Sequence, residues 1–322
     1  MAITLTQLRS FLAVLRTGSV TAAAEDLVVT QPSVSAAVSA LSHELGVELT
    51  ERDGRSIRPS PAGAAFAPYA ADVMGLLDQG AAAAREAAGE SARALRIAAV
   101  TTAAEYLVPT LMRAFSALHP ELVLTVEVGN REYVFQTVVR READVAIGGR
   151  PPPDGRLVGE AFLENPVALI TAPADPLAAR HGVSVSELDR RPWLVREEGS
   201  GTRTMTEDFL AAYDLHPEVL TLGSNGAIKH AARAGLGISL QSRAAAELEL
   251  ALGLLATISL SEPLPDRRWY ALRPASGPVR APVEAFLEFV STEEARIAVE
   301  RGQVTAVPVS PPPVGEPATP LR

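Results

Sequence analysis

The sequence predicts an α/β protein with a small helical head, a long connecting helix and a larger strand-and-helix body. Three observations predict it. Residues 1–62 carry helical periodicity that ends in a hairpin signal, residues 63–89 form one Ala-rich helical stretch, and from residue 95 short apolar runs alternate with helical segments. Such alternation argues for a mostly parallel sheet with helices on both faces. The bulk properties fit: 322 residues suit two or three domains, and 47% hydrophobic residues can fill real cores. No run of 18 or more apolar residues occurs, and no basic segment followed by an apolar block opens the chain. The expectation is therefore no membrane span, no signal peptide and a cytoplasmic location. The absence of cysteine excludes disulfides and thiolate metal sites. Lys229 is the only lysine among 29 basic residues, and the net charge of −9 gives nucleic-acid binding no support from composition.

In the head, Thr4 and Gln7 have capping-box spacing ahead of Leu8, Phe11, Leu12 and Leu15, which share a helix face. Gly18 stops that helix and Ser19 can cap the next, whose stripe is Val20, Ala23, Ala24 and Leu27. "VVT" turns the chain into "VTQPSVSAAVSAL", where Val34, Val38, Leu41 and Leu45 line one face. Thr30 suits an N-cap and Pro32 a first turn, while Ser33, Ser35, Ala36, Ser39 and His43 make the opposite face small and polar. Gly46 ends the helix, and Asp53-Gly54 joins two short extended segments. Helix, short helix, tight turn, helix, hairpin is the order of a winged helix-turn-helix over 1–62.

Residues 63–92 follow as a linker helix with apolar residues on more than one face, which predicts pairing with a second copy. Residues 93–302 contain "LRIAAV" (95–100) before a helix starting near Ala103, then "LVLTVEV", "ADVAIGG" and "VALITA". "WLVRE" and "GSNGAIKHAARAG" repeat the strand-loop-helix theme, so two α/β subdomains are expected. "RRWYAL" and one helix around 282–299 should return to the first of them. Residues 303–322 are Pro-rich and read as a disordered tail.

The stretch "QLRSFLAVLRTGSVTAAAEDLVVTQPSVSAAVSALSHELGVELTERDGRSIRPSPAG" resembles the LysR-type transcriptional regulators, in its motif order from helix to wing. "RIAAVTTAAEYLVPTLMRAF", "EEGSGTR" and "GSNGAIKHAARAGLGISLQSR" resemble the branch that includes regulators of carbon-fixation operons. The resemblance implies a periplasmic-binding-protein-like body of two subdomains, and a ligand-responsive regulator that binds double-stranded promoter DNA as a homodimer or homotetramer. Two departures stand out. Ala36 and Ala37 replace a long polar residue in the recognition helix, and Thr50 stands in "LTER" where the family carries an aromatic.

A recognition helix brings its N-terminal residues against base edges in the major groove, and small side chains let it approach. Thr30, Gln31, Pro32, Ser33, Ser35, Ala36 and Ser39 are the candidates, with Gln31 able to contact adenine in bidentate fashion. The head is nearly neutral, five arginines against six acids, but Arg52, Arg55 and Arg58 gather on the hairpin, where a wing meets phosphate. Taken singly, each of these residues also reads as routine capping or a solvated charge.

In the body, Thr101-Thr102, Ser200-Gly201-Thr202-Arg203 and Ser224-Asn225-Gly226 are loops that precede helices, whose free N–H groups favour anions. Asn130 and Gly149-Arg150 follow strands, at the carboxyl ends where open α/β sheets bind ligands. Each loop alone reads as ordinary N-capping, and the family resemblance is what gathers them at a cleft for a small anionic metabolite. Arg203 and Lys229 are the candidates to neutralise it. Catalysis finds no support: the five histidines lack metal-ligand spacing, and "GSGTR" lacks the ending of a nucleotide P-loop. No cofactor or metal is expected. The competing reading is a small-molecule binding protein or enzyme with a helical appendage, which a gel-shift on the DNA upstream of its own gene separates from a regulator.

Overall fold

The computed structural model describes residues 3–54, 56–89 and 94–302. Arg55 and the Pro-rich stretch from 303 onward lie outside the described residues. The head comprises α1 (Leu5–Thr17), α2 (Val20–Asp26), α3 (Gln31–Leu45) and a hairpin of β1 (Thr50–Asp53) and β2 (Ser56–Pro59). The capping box closes as expected: Gln7 N–H donates to Thr4 Oγ1 at 3.3 Å and Thr4 N–H to Gln7 Oε1 at 2.7 Å. Phe11, Val14, Val34, Leu41 and Leu49 form the head's core. The wing keeps its place without the family's aromatic. Thr50 is half-buried, while Leu49 is fully buried and Ser60 Oγ donates to the Glu48 carbonyl at 2.6 Å. Ile57 N–H also reaches the Gly18 carbonyl at 2.8 Å, which docks the hairpin on the end of α1.

Val28, in the turn before α3, has φ 55° and is 90% exposed. A β-branched residue in the left-handed region costs about 1–2 kcal/mol, and the exposed side chain gains no packing to offset it. Val28→Asn is therefore expected to stabilise the head by roughly 1 kcal/mol, read as a higher urea midpoint. An unchanged midpoint would mean that this turn stores no strain.

From the head runs α4 (Pro61–Ala87), 27 residues long, with Ala70 and Met74 buried in the head's core. Farther along, α4 lies against the body. A Cβ on Gly75 would sit 2.5 Å from Arg141 Cβ, so only glycine permits this approach. Arg141 is buried, donates to Gln79 Oε1 at 3.1 Å and to the Ser276 carbonyl at 2.8 Å, and lies 3.6 Å from Asp72. Arg280 pairs with both Glu86 of α4 and Asp144 of the body.

The first subdomain contains β3 (Ala94–Val100), α5 (Thr101–Tyr106), α6 (Val108–Leu118), β4 (Val123–Gly129), α7 (Arg131–Val139), β5 (Val145–Gly148) and β6 (Leu157–Glu164). The chain then crosses to the second: β7 (Val167–Thr171), β8 (Trp193–Arg196), α8 (Gly201–Ala212), β9 (Val219–Leu222), α9 (Asn225–Arg233), β10 (Ser239–Ser242), α10 (Arg243–Ala251) and β11 (Ala256–Thr257). It returns through β12 (Arg268–Pro274), α11 (Ala281–Val290) and α12 (Glu293–Gly302). "RRWYAL" therefore does rejoin the first subdomain, pairing with β5 and β6.

Two expectations need correction. The sheets are mixed: β3 is parallel to β4 and β5, and β8 to β9, but β12 runs antiparallel to both neighbours and β7 to β10 and β11. The two crossings between subdomains cause this, because a strand arriving from the other lobe enters its sheet from the opposite end. The helix expected over 282–299 is two helices, α11 and α12, broken at Ser291-Thr292, where Thr292 Oγ1 takes the Ala295 N–H at 3.2 Å. Aromatic packing of Phe115 on Phe286 at 5.1 Å holds these returning helices on the first sheet.

Candidate functional site

On the head, the first turns of α3 stand free. Thr30, Gln31, Pro32, Ser33, Ser35, Ala36 and Ser39 are all exposed, while Val34, Val38 and Leu41 point inward and fix the helix's rotation. Thr30 Oγ1 accepts the Ser33 N–H at 3.3 Å and lies 2.8 Å from Ser33 Oγ, so the cap is formed and both hydroxyls stay at the surface. On the hairpin, Arg52 is exposed, whereas Arg58 pairs across the strands with Glu51 at 2.9 Å. Such a surface pair is worth about 0–1 kcal/mol, so a phosphate can displace the carboxylate at little cost.

In the body, the cleft between the subdomains is closed from both lobes. Asn130 caps α7 through its Oδ1, which accepts the Tyr133 N–H at 2.9 Å, and its Nδ2 donates across the cleft to the Glu198 carbonyl at 3.2 Å. Glu132 N–H reaches the Gly199 carbonyl at 3.2 Å. At the other end, buried Asn225 donates to Thr102 Oγ1 at 3.2 Å and Glu105 Oε2 at 3.0 Å. Between these ties is a pocket of about 20 Å³, bordered by Thr101, Thr102, Asn130, Gly149, Ser200 and Thr202. Val100, Gly201, Arg131, Arg196 and Arg267 complete the wall.

The charge in this wall is not where the sequence reading expects it. Arg203 pairs with Glu207 at 2.7 Å, and Lys229 with Glu249 at 2.7 Å and the Tyr106 hydroxyl at 3.2 Å. Both charges are paired with carboxylates outside the pocket, and Arg203 Nη1 also donates to the Arg196 carbonyl at 3.3 Å. Arg150 borders a larger adjoining cavity, Asn225 serves as the bridge just described, and Gly226 lies past the Ser224 cap. Thr101 opens α5 itself instead of preceding it, and donates to the Gly129 carbonyl at 3.2 Å.

Arg131 and Arg267 take the place of Arg203 and Lys229. Arg131 donates to the Arg150 carbonyl at 3.1 Å and stacks on Phe135. Arg267 approaches Thr202 Oγ1 at 3.5 Å, and neither guanidinium has a carboxylate partner among the described residues. Desolvation, with the neighbouring Arg131 charge second, lowers Arg267 to about 10, and burial also lowers Arg131. Two cations without carboxylate partners among the described residues on the wall of one cleft favour an anion beside them. Sequence reasoning misses Arg267 because it reads as the start of a strand. It enters the cleft only because β12 crosses back between the subdomains.

Comparison with known proteins decides the family. The bacterial regulatory helix-turn-helix family of LysR type matches residues 5–64, and the LysR substrate binding domain matches 88–295. This chain belongs to the LysR family of transcriptional regulators. Among the relatives of this LysR-type regulator is the RuBisCO operon transcriptional regulator of Allochromatium vinosum, 36% identical over 94% of this chain and 100% of the relative. The solved regulatory domain of CcmR from Synechocystis PCC6803, in complex with 2-PG, is 31% identical, covers 62% of this chain and 95% of that one, and has a TM-score of 0.58. A full-length OxyR variant from Pseudomonas aeruginosa shares the fold over 96% of this chain and 100% of that one, with a TM-score of 0.64 at 24% identity. The resemblance read from the head and body motifs thus holds, the carbon-fixation branch included. Among the described residues, no helix is long and apolar enough to cross a membrane.

Proposed function

We propose that this regulator binds promoter DNA through the N-terminal half of α3 and the hairpin, as an oligomer, and responds to a small anion in the inter-subdomain cleft. The observation that carries the effector half is the pair of carboxylate-free guanidiniums, Arg131 and Arg267, facing a closed polar pocket. The pocket holds little more than a water, so the occupant's head group is compact, a carboxylate or phosphate, and must loosen the Asn130 and Asn225 ties to enter. Binding that changes the closure of the two lobes shifts their relative orientation, and α4 carries that change to the head through the Arg141 and Arg280 contacts. The test is direct. Calorimetry with inorganic phosphate and with 2-PG should give saturable heats, and promoter anisotropy should change in their presence. A flat response to both would overturn the anion reading.

The chain is to be divided as a DNA-binding head over 1–62, a linker helix over 63–92, and an effector body over 93–302. Two features support oligomeric binding. A near-neutral head gains affinity chiefly by multivalency, and α4 exposes Tyr69, Val73 and Leu77 at four-residue spacing along one face. Placing glutamate at both Val73 and Leu77 is expected to weaken self-association of the full chain at least tenfold, since each charge would have to be buried against its own copy. Sedimentation at graded concentrations checks it, and an unchanged distribution would move the interface off this helix. For the hairpin, Arg52→Ala or Arg58→Ala should weaken binding to promoter and random DNA alike and reduce the salt slope by about one unit. A loss confined to the promoter would make that residue a base reader instead.

A further inference from the structure

Beside the small pocket lies a cavity of about 790 Å³, well within the usual range of about 300–1,000 Å³ for ligand sites. The two share Arg131, Gly149, Gly201 and Arg267 as a common partition. We propose that this larger cavity is a second ligand site, taking an organic anion with an aromatic or apolar body.

The walls divide by chemistry. On one side α8 presents Met205, Phe209, Ala212 and Tyr213, spaced i, i+4, i+7 and i+8, and Tyr270 of β12 faces into the same space. Met205 and Phe209 belong to the second subdomain's core, and Tyr213 packs on Phe209 at 5.0 Å. They offer the cavity a rigid apolar surface at no cost in ordering. At the basic end stand Arg131, Arg150 and Arg267, none with an ion pair among the described residues. Arg268 adds a fourth cation, held only loosely at 4.0 Å from Glu164. Against these the lining has two carboxylates, Asp208 and Asp266, which leaves a positive balance.

An unpaired guanidinium in a concave, partly apolar cavity can be satisfied by a carboxylate or phosphate in bidentate contact, while the rings stack on the rest of the ligand. An inorganic anion would leave the apolar wall empty, and a neutral hydrocarbon would leave the arginines unpaired. The class that satisfies both is an aromatic or aliphatic acid too large for the small pocket. The partition also ties the two sites together. A Cβ on Gly201 would lie 3.0 Å from Arg131 Cδ and 3.5 Å from Arg267 Nη2, so the stem of Arg131 and the guanidinium of Arg267 rest against this glycine, and both side chains border both spaces.

The test uses the full chain and two probes, 2-naphthoate for the large cavity and inorganic phosphate for the small pocket, followed by calorimetry. Wild type should bind one naphthoate per chain. Ala212→Trp fills the cavity from the exposed end of α8, and Arg150→Ala removes a charge that only the large cavity sees. Each should lower naphthoate affinity at least about tenfold, the scale of one charge-assisted contact. Phosphate affinity should stay within about twofold, because neither side chain reaches the small pocket. Because Arg150 is exposed, its variant tests the idea even if the tryptophan disturbs folding. No naphthoate heat at millimolar concentration in wild type, or unchanged affinity in a folded variant, overturns the second site. If phosphate fails to bind while naphthoate behaves as described, the small-anion reading falls and the second site stands.

Discussion

Ser35→Glu is expected to lower affinity for the promoter site by at least about 100-fold while leaving the melting temperature unchanged. Ser35 is exposed on the second turn of α3, opposite the buried Val34 and Val38, so the substitution removes no core contact. In the proposed complex that face lies in the major groove, where each good base contact is worth about 1–3 kcal/mol and the phosphate field repels added negative charge. A carboxylate there loses close approach and meets repulsion together. The comparison of interest is Ala40→Glu, exposed on the same helix but in its later turns, away from the cap. It should cost less. Promoter anisotropy at fixed salt reads both, and wild-type affinity in a folded Ser35→Glu protein would take α3 out of the groove.

Arg267→Met should separate stability from response. Methionine keeps an unbranched, flexible stem without the charge and can pack towards Met205, which Arg267 already approaches at 3.9 Å. At neutral pH the wild-type guanidinium stays charged without a carboxylate, so its removal should stabilise the protein by roughly 1–3 kcal/mol. The pH dependence has a definite sign. The folded-state value is lowered to about 10, below that of the unfolded chain, so the unfolded chain binds more protons above that pH. Wild-type stability should therefore rise relative to the variant as pH passes through about 10, the penalty being complete below it. The same substitution should cost phosphate or 2-PG affinity by about 100-fold, since a charge-assisted contact is lost from a desolvated pocket. Urea unfolding at pH 7 and pH 10.5, with calorimetry at pH 7, checks both halves. A variant that is less stable and still binds the anion would assign Arg267 a structural role.

Much of this protein is legible because its signals are local. The head follows from caps and periodicity: Thr4 with Gln7, Ser19, Thr30, Gly18 and Gly46 set the helix ends that the structure contains. Each of these is an interaction within about four residues, which is the range that a sequence pattern reports. The polar side chains of the cleft are legible for the same reason, since Asn130, Ser200 and Ser224 are caps before they are anything else. The failures differ in kind. Glu207 lies one turn on from Arg203 in the same helix, an i,i+4 pair within the range of a sequence pattern, whereas Glu249, which neutralises Lys229, belongs to a different helix. Arg131 and Arg267 look ordinary, and become the cleft's charge because distant parts of the chain fold to bring them side by side.

Element types, the winged head, the exposed face of α3 and the existence of two lobes all follow from the chain's own pattern. Hydrophobic period and capping are short-range, and nearly independent of what surrounds them. Strand direction is a tertiary matter, since it depends on where the two crossings between lobes enter each sheet. So are the electrostatics of the cleft, because whether a charge is free depends on the whole set of neighbours that folding places within about 4 Å of it. Arg267 is the clearest case. Its identity is written in the chain, but its lack of a carboxylate partner among the described residues and its closeness to Arg131 exist only once β12 has returned between the subdomains.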